Sequence, residues 1–253
     1  STAIKIFAVI NEYISMKKLL NLLHYLSEED LDIVKKAYTV ANSSHEGQLR
    51  RSGELYINHP IAVATLLAEL ELSAEVLAAA ILHDVLEDTK TTKEDLSEKG
   101  FNQNIISLVE GVTKIDKLQF KNSDLGYAQA YNLQKLIMAM AEDSRIIVIK
   151  LADRLHNLST ISSLTPKKQQ RIAKESLQIF VPIAGNLGIN VFKVELEKLC
   201  FQTLFPWRYH CIENAISRGL VLNQHKINQL TNDFLVELNK NNKFKFCSRT
   251  CRW

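Results

Sequence analysis

The chain has 253 residues, which is enough for one sizeable domain with short appendages. Hydrophobic residues make up 46% of it and charged residues 23%, and its formal net charge of +3 neither repels an anionic substrate nor by itself indicates a nucleic-acid-binding protein. Only 8 glycines and 4 prolines are present. So few chain breakers argue against a fold built from many tight turns and favour long helices.

The N-terminal stretch from Ala3 to Leu23 is rich in isoleucine, leucine, phenylalanine and valine. Charged residues such as Lys5 and Glu12 interrupt it, whereas a membrane-spanning helix needs about 20 mostly uncharged residues. We therefore expect an amphipathic helical extension over residues 1–26 and no membrane partner. Because no secretory signal precedes the 4 cysteines, we expect them to be reduced and the protein to be cytoplasmic.

Most of the remaining sequence is predicted to be helical. Ser27, followed by three acidic residues, is typical of a helix N-cap, and apolar residues recur at helical spacing over residues 31–42. A polar loop follows over residues 43–54, and the pair His59-Pro60 predicts the start of the next helix. Further helices are predicted over residues 74–88, 101–115, 128–141, 145–158, 169–181, 191–201 and 223–239. Since no strand pattern stands out, the predicted fold class is all-α.

The segment VLAAAILHDVLED is apolar on nearly all sides until it reaches His83. Ionisable residues are normally kept out of such helices unless they are paired or coordinated. His83 and Glu87 are four residues apart, as are Asp84 and Asp88. In a continuous helix, this spacing predicts two adjacent rows of ligating or acid–base groups.

A second apolar helix, VIVIKLADRLHNL, carries Asp153 and Asn157, again four residues apart, and His59 offers a third contribution. Two histidines and two carboxylates make a mixed nitrogen and oxygen donor set, which suits manganese, iron or zinc better than calcium. Each residue alone is more often a cap, a core histidine or an ion-pair member. The order His, His-Asp, Asp on helices is nevertheless the pattern of the HD metal-dependent phosphohydrolase superfamily.

Longer runs make this pattern more specific. They are HEGQLRRSGELYINHP from His45, AAAILHDVLEDT ending at Thr89, LVEGVTKI from Leu108 and IKLADRLHNLSTI from Ile149. Together they closely resemble the hydrolase half of the long RelA/SpoT homologue family, the enzymes that make and degrade the alarmone (p)ppGpp. The resemblance implies an HD-type hydrolase domain over residues 27–206, followed over residues 207–253 by a helical linker similar to the start of the synthetase domain.

The resemblance also implies roles for individual residues. Four of them match manganese ligands: His59, His83, Asp84 and Asp153. Glu87 and Asp88 match an acidic pair that positions or activates the attacking water. The candidates for binding the substrate, as matched nucleotide contacts or as positive charges near it, are Arg50, Arg51, Ser52, Asn157, Thr160, Lys114 and Lys150. The expected reaction removes the 3′-pyrophosphate from (p)ppGpp, which gives GDP or GTP and pyrophosphate.

Three departures from the family pattern bear on this expectation. Leu55 stands where proline is usual, Ser159 stands where arginine is usual, and Gly185-Asn186 stands where His-Arg is usual. The His-Asp and Glu-Asp pairs are both retained, which favours an active hydrolase. Two alternatives stay open, namely a (p)ppGpp-binding regulatory module with little turnover and an HD hydrolase that acts on another nucleotide.

No synthetase-like motif follows the linker, so we expect no alarmone synthesis from this chain. It is interpreted as a fragment, a split gene product or a natural truncation. Self-association or a separate synthetase partner is left open, and no nucleic-acid partner is expected.

Overall fold

The structure is a computed structural model that describes residues 15–116 and 142–218, together with residues 229 and 233. The predicted helices over residues 128–141 and 223–239 therefore lie outside the described residues, apart from those last two positions. Within the described ranges the regular structure is helical, and the β structure there is one isolated antiparallel bridge between Leu49 and Leu55. This confirms the predicted all-α class.

The helices are numbered here in chain order. They are α1 (15–22), α2 (Glu28–Ser44), α3 (Asn58–Ala68), α4 (Ala74–Leu82), α5 (Val85–Asp88), α6 (Lys93–Glu98), α7 (Gln103–Asp116), α8 (Ser144–Ser159), α9 (Pro166–Glu175), α10 (Val181–Asn186), α11 (Asn190–Leu204) and α12 (206–218). The short 3-10 helix Ile161–Ser163 follows α8, and the π-helical turn Ser176–Phe180 joins α9 to α10. The chain divides into two compact units, Ser1–Leu204 and Phe205–Trp253.

The start of α2 follows from its capping chemistry. The Ser27 hydroxyl accepts a hydrogen bond from the Asp30 amide at 3.2 Å, and the first turn carries three acidic residues that favour the positive end of the helix dipole. The predicted N-cap is thereby confirmed. Because the cap satisfies an amide of the first turn, the helix begins three residues earlier than the apolar periodicity alone predicted.

Helix α4 lies in the core of the first unit. All of its residues except Glu75 are buried, and it packs against α2, α3, α7 and α8. Burial of a leucine or isoleucine side chain such as Leu82 or Ile81 contributes about 1.5–3 kcal/mol. The apolar helix is therefore anchored on all sides, and the residue that follows it, His83, is held in the interior.

The crossing of α7 and α8 depends on a glycine. A Cβ atom added to Gly111 in α7 would lie 2.3 Å from Cδ1 of the buried Ile146 in α8. A larger side chain would fit there only if the Ile146 side chain or one of the two helices shifted. This close approach helps to fix the position of α8, which carries Asp153.

In the second unit, helix α12 exposes Trp207, Ile212 and Ile216. Throughout the described part of the chain, every helix is too short or too polar to cross a lipid bilayer.

Candidate metal centre and active site

Four buried or nearly buried side chains converge from three places in the first unit. His59 is the second residue of α3, His83 and Asp84 join α4 to α5, and Asp153 lies in the middle of α8. The exposed fractions of His59, His83 and Asp153 are 2%, 1% and 3%. Side chains with this capacity for charge are buried at a cost unless they pair or bind a cation.

The predicted single helix over residues 74–88 is wrong in one respect, because it is interrupted at His83 and Asp84. Nδ1 of His83 lies 2.7 Å from the carbonyl oxygen of Ala80. In an uninterrupted helix that oxygen would accept from the amide of Asp84. The imidazole takes this acceptor, residues 83 and 84 belong to neither helix, and α5 begins as a separate short helix. The two predicted rows of groups four residues apart therefore do not run along one continuous helix.

The four side chains approach each other closely. Nε2 of His59 lies 3.1 Å from Oδ1 of Asp153 and 3.6 Å from Oδ2 of Asp84. Nε2 of His83 lies 3.0 Å from Oδ1 of Asp84 and 3.8 Å from Oδ1 of Asp153. Single donor atoms of His59, His83 and Asp84 all lie within 4.8 Å of one another. The arrangement is a compact cluster of two nitrogens and two carboxylates.

The donor chemistry of His83 fits a divalent cation. Because the Ala80 carbonyl can only accept, Nδ1 of His83 carries a proton, and in the neutral imidazole Nε2 then carries the lone pair. Nε2 is fully buried and has no hydrogen-bond partner among the described residues, although the Asp84 carboxylate lies beside it. Two acceptors held this close together are stabilised by a cation between them, and a backbone bond that fixes the tautomer is typical of metal-binding histidines.

The pKa values of the cluster also fit a site for a cation. Burial raises the pKa of the Asp84 carboxyl, but the neighbouring His83 and His59 outweigh it, so the net pKa lies well below its usual range. For Asp153, burial is outweighed by Lys150 and His59, and its pKa is also lowered. Burial alone would lower the pKa of His83, yet the two carboxylates raise it to about 9. A proton and a metal ion thus compete for the same anionic site.

The acidic pair lies at the open side of this cluster. Glu87 and Asp88 are both exposed. They line a cavity of about 210 Å³ together with three of the four candidate ligands, namely His59, Asp84 and Asp153. The Tyr56 hydroxyl lies 2.8 Å from Oδ2 of Asp84 and within hydrogen-bonding distance of Oδ2 of Asp88. Its one proton is shared between a candidate ligand and a candidate base.

A larger cavity of about 440 Å³ adjoins the first, since both are lined by Arg50, Tyr56, Lys150, Asp153 and Asn157. Its volume falls in the range typical of small-molecule sites. Arg51, Ser52 and Thr160 also line the larger cavity. Together the two cavities form one path from the cluster to the loop before α3.

Side-chain hydrogen bonds connect this loop to the cluster. Nη2 of Arg50 donates to Oδ1 of Asn157 at 2.6 Å, and Nδ2 of Asn157 donates to Oδ1 of Asp153 at 2.6 Å. The loop turns at Gly53, which has a φ of +86° and donates its amide to the carbonyl of Arg50 at 2.9 Å. A guanidinium group is thereby held one side chain away from the candidate metal ligands.

The two lysines predicted to contact substrate, Lys150 and Lys114, lie in different surroundings. The ammonium group of Lys150 is buried and donates to Oδ2 of Asp153, so it acts first as the counter-ion of a candidate ligand. Lys114 is exposed on α7 and lines neither of the two cavities of the described site. The structure does not bring Lys114 together with the other predicted residues.

Three further residues belong to the site and were not predicted. They are Tyr56, His45, which stacks on Tyr56 with ring centroids 4.4 Å apart, and His156, whose Nδ1 lies 2.8 Å from Nδ1 of His59. All three stand inside the conspicuous runs HEGQLRRSGELYINHP and IKLADRLHNLSTI. Their presence in those runs was the available signal, but their contacts depend on how the loop folds over α5 and α8.

The sequence is similar to those of known proteins. The chain is 52% identical over 192 residues to the bifunctional (p)ppGpp synthase/hydrolase SpoT of Escherichia coli K12, which is 76% of this chain and 27% of that protein. It is 44% identical over 205 residues to the guanosine-3′,5′-bis(diphosphate) 3′-pyrophosphohydrolase of Haemophilus influenzae, which is 81% of this chain and 30% of that protein.

A solved structure of a metazoan SpoT orthologue described as hydrolysing ppGpp shares 24% identity, with a TM-score of 0.48, and the match covers 70% of this chain and 96% of that one. The chain spans less than a third of the length of the two curated relatives. The family model described as the HD domain matches residues 37–190, more than half of the chain. This chain therefore belongs to the HD domain family.

Proposed function

We propose that this chain hydrolyses the 3′-pyrophosphate of (p)ppGpp with the help of Mn²⁺. The observation that carries the proposal is the continuity between the buried His-Asp cluster and the cavity lined by Arg50, because it sets a metal-binding donor set next to an anion-binding group. The names of the curated relatives support the same reaction and the same substrate.

Four residues would hold the metal: His59, His83, Asp84 and Asp153. The mixed nitrogen and oxygen donors suit Mn²⁺, although Fe²⁺ and Zn²⁺ accept similar sets. A divalent metal held by these residues would lower the pKa of a bound water and polarise a phosphate oxygen. The protein contributes the fixed tautomer of His83 and two carboxylates that stay charged because of their neighbours.

The carboxylate of Glu87 or Asp88 takes the proton of the attacking water. Both line the same small cavity as the ligands, which brings them within reach of a water bound there. The water oxygen bonds to the phosphorus next to O3′ of the ribose, and the bond between that phosphorus and O3′ breaks. The released oxygen takes a proton from solvent and the carboxyl group returns its proton to solvent, which gives the 3′-hydroxyl of GDP or GTP and free pyrophosphate.

The larger cavity would hold the nucleoside part of the substrate. Arg50 and Arg51 offer planar donor groups that bind phosphate oxygens in pairs, while Asn157 and Thr160 offer smaller polar groups in the same cavity. The positive charges of the two arginines offset the charge that the two diphosphates bring to the site.

The test is release of pyrophosphate from ppGpp by purified protein that has been stripped of metal and then supplied with Mn²⁺. We expect turnover with Mn²⁺, none with chelator present, and none from the His83→Ala variant. Lys35→Ala is the matched control, because Lys35 is an exposed residue of α2 that pairs with Asp32. Its rate is expected to equal that of the unmodified protein.

Absence of pyrophosphate release by protein shown to contain bound Mn²⁺ would contradict the proposal. If calorimetry then showed tight binding of ppGpp, the chain would be a binding module. If another nucleotide in a panel of dNTPs and cyclic dinucleotides were hydrolysed instead, the substrate assignment would be wrong while the metal centre stood.

A further inference from the structure

His156 contacts one candidate metal ligand directly. It is the fourth residue from the end of α8, and its Nδ1 lies 2.8 Å from Nδ1 of His59 with the two rings 4.9 Å apart between centroids. His59 uses its other nitrogen, Nε2, to face Asp153 and Asp84. One nitrogen of His59 is therefore directed into the metal cluster and the other at His156.

A third group decides which nitrogen carries the proton. Nη1 of Arg50 lies 3.4 Å from the same Nδ1 of His156. A guanidinium has five N–H donors and no acceptor, so the nitrogen it faces has to accept. With Nδ1 of His156 as the acceptor, the proton in the bond between the two histidines belongs to His59. The assignment comes from the hydrogen-bond network, which is the usual ground for placing imidazole protons.

This proton position has a consequence for the metal cluster. A neutral imidazole with a proton on Nδ1 has its lone pair on Nε2, and Nε2 of His59 is the atom that faces the carboxylates of Asp153 and Asp84. His83 reaches the same state by donating from Nδ1 to a backbone carbonyl of its own helix. His59 has its second nitrogen directed at a side chain from a different helix.

We propose that His156 is a positioning residue that accepts a hydrogen bond from Nδ1–H of His59 and thereby holds Nε2 of His59 as a metal ligand. It touches neither the metal nor the substrate in this role. The inference rests on the proposed metal centre and deepens it. It also gives Arg50 a second function, because the guanidinium donates to the same acceptor atom from the substrate side.

The test measures the affinity for Mn²⁺ alone, without nucleotide, by the electron paramagnetic resonance signal of the free ion. We expect His156→Leu to weaken Mn²⁺ binding by about 10–100-fold, the range typical of lost partners of metal ligands. His156→Asn should recover most of that loss, since its Oδ1 occupies the place of Nδ1. Equal affinity of His156→Leu and the unmodified protein would overturn the proposal, as would an asparagine variant as weak as the leucine variant.

Two controls separate positioning from packing. His156 lines an apolar cavity of about 500 Å³, and Leu199→Ala enlarges that cavity without removing an acceptor from His59. We expect it to lower stability and to leave Mn²⁺ affinity unchanged. If His156→Leu does not fold, His156→Gln serves in its place, because its acceptor oxygen lies one bond further out. Loss of affinity in the glutamine variant but not in the asparagine variant would support the proposal, and equal affinities would contradict it.

Failure of this proposal can be distinguished from failure of the proposed hydrolysis reaction. If the unmodified protein binds no Mn²⁺, the metal centre itself is wrong. If it binds Mn²⁺ but does not hydrolyse ppGpp, the reaction is wrong while the role of His156 is still decided by the variants.

Discussion

The site joins two regions of opposite character. The cluster of His59, His83, Asp84 and Asp153 is buried or nearly buried, is held by helices of the core and has most of its polar atoms fixed by named partners. The loop over residues 45–57 supplies Arg50 and Arg51 from the surface, and Arg51, Ser52 and Gly53 are exposed. On the proposed function, this difference predicts that the preorganised interior performs the chemistry and the exposed loop recognises the substrate.

The largest effect is expected from Asp153, where the chemistry and the stability of the core coincide. Asp153→Ala removes a candidate ligand, and metals contribute several kcal/mol to such reactions, so we expect turnover to fall by about 10³-fold or more. It also breaks the buried ion pair between Asp153 and Lys150, which should cost about 3–5 kcal/mol of stability. Pyrophosphate release and urea denaturation measure the two effects.

Adding Lys150→Met to Asp153→Ala separates these effects. The double variant removes both members of the buried ion pair and should recover stability, whereas turnover should stay lost. Recovery of turnover would mean that Asp153 serves only as the partner of Lys150, and the division between interior and loop would then lose its chemical basis.

Tyr56 lies at the boundary between the two regions, so its replacement tests how rigidly they are joined. Tyr56→Phe keeps the stacking on His45 and removes the hydroxyl shared by Asp84 and Asp88. We expect a loss of about 10–100-fold in turnover, as for other partners of metal ligands. The loss should appear in kcat more than in KM.

Tyr25→Phe is the matched control for this change. It also removes a tyrosine hydroxyl, but this one donates to the carbonyl of Leu72 at 2.7 Å, away from the residues of the site. A stability loss of about 1 kcal/mol without a change in turnover is expected. If both variants lost only stability, Tyr56 would be a structural residue rather than a part of the site.

Smaller effects are expected within the loop, where the two arginines differ. Arg50 is half-buried and bonded to Asn157, and its replacement by alanine should lower kcat/KM by about 10–100-fold, since hydrogen bonds to charged groups contribute about 1.5–3 kcal/mol. Arg51 is exposed, and exposed ionic contacts are typically worth about 1 kcal/mol or less. Arg51→Ala should therefore change kcat/KM by about fivefold at most.

Salt distinguishes the two arginines further. The effect of Arg51→Ala should shrink as the KCl concentration rises, because interactions between exposed charges are screened. Equal losses for the two arginines at high salt would show that the loop closes over the substrate and buries both of them.

The sequence predicted the buried candidate ligands better than the residues that surround them. The apolar surroundings of His83 and Asp153 predicted buried polar groups that need partners, and the structure brings these side chains to within 3.8 Å of each other. The break at His83 could not be predicted, because it depends on a side-chain bond to Ala80 that competes with the helix. From residue spacing alone, residues 74–88 were predicted to form one continuous helix.

The residues that surround the candidate ligands could not be predicted, because their positions depend on tertiary contacts. Tyr56 and His156 carry no periodic signal, and their roles come from distances across separate helices. Lys114 had the right charge and stood in a recognisable run, yet it lies exposed on α7 and outside both cavities of the described site. Charge in a sequence identifies candidates for substrate binding, but only the fold selects among them.

The smallest effect is expected from Leu55, where the family pattern usually has proline. Leu55 lies in the isolated bridge with Leu49, and in the described structure its amide donates no backbone hydrogen bond, while its carbonyl accepts from Asn58. Leu55→Pro should therefore leave the loop's hydrogen bonds intact and restrict the unfolded chain. We expect a gain of about 0.4–1 kcal/mol in the free energy of unfolding, measured with urea.

The same variant should leave kcat unchanged, because the interior cluster does not depend on the loop's backbone entropy. A modest decrease in KM is expected, since a loop with fewer conformations holds Arg50 and Arg51 nearer their binding positions. A loss of stability would show that the φ angle at Leu55 or the backbone of Glu54 before it is incompatible with proline. A change in kcat would show instead that Leu55 sets the position of the adjacent Tyr56, whose hydroxyl contacts Asp84 in the interior.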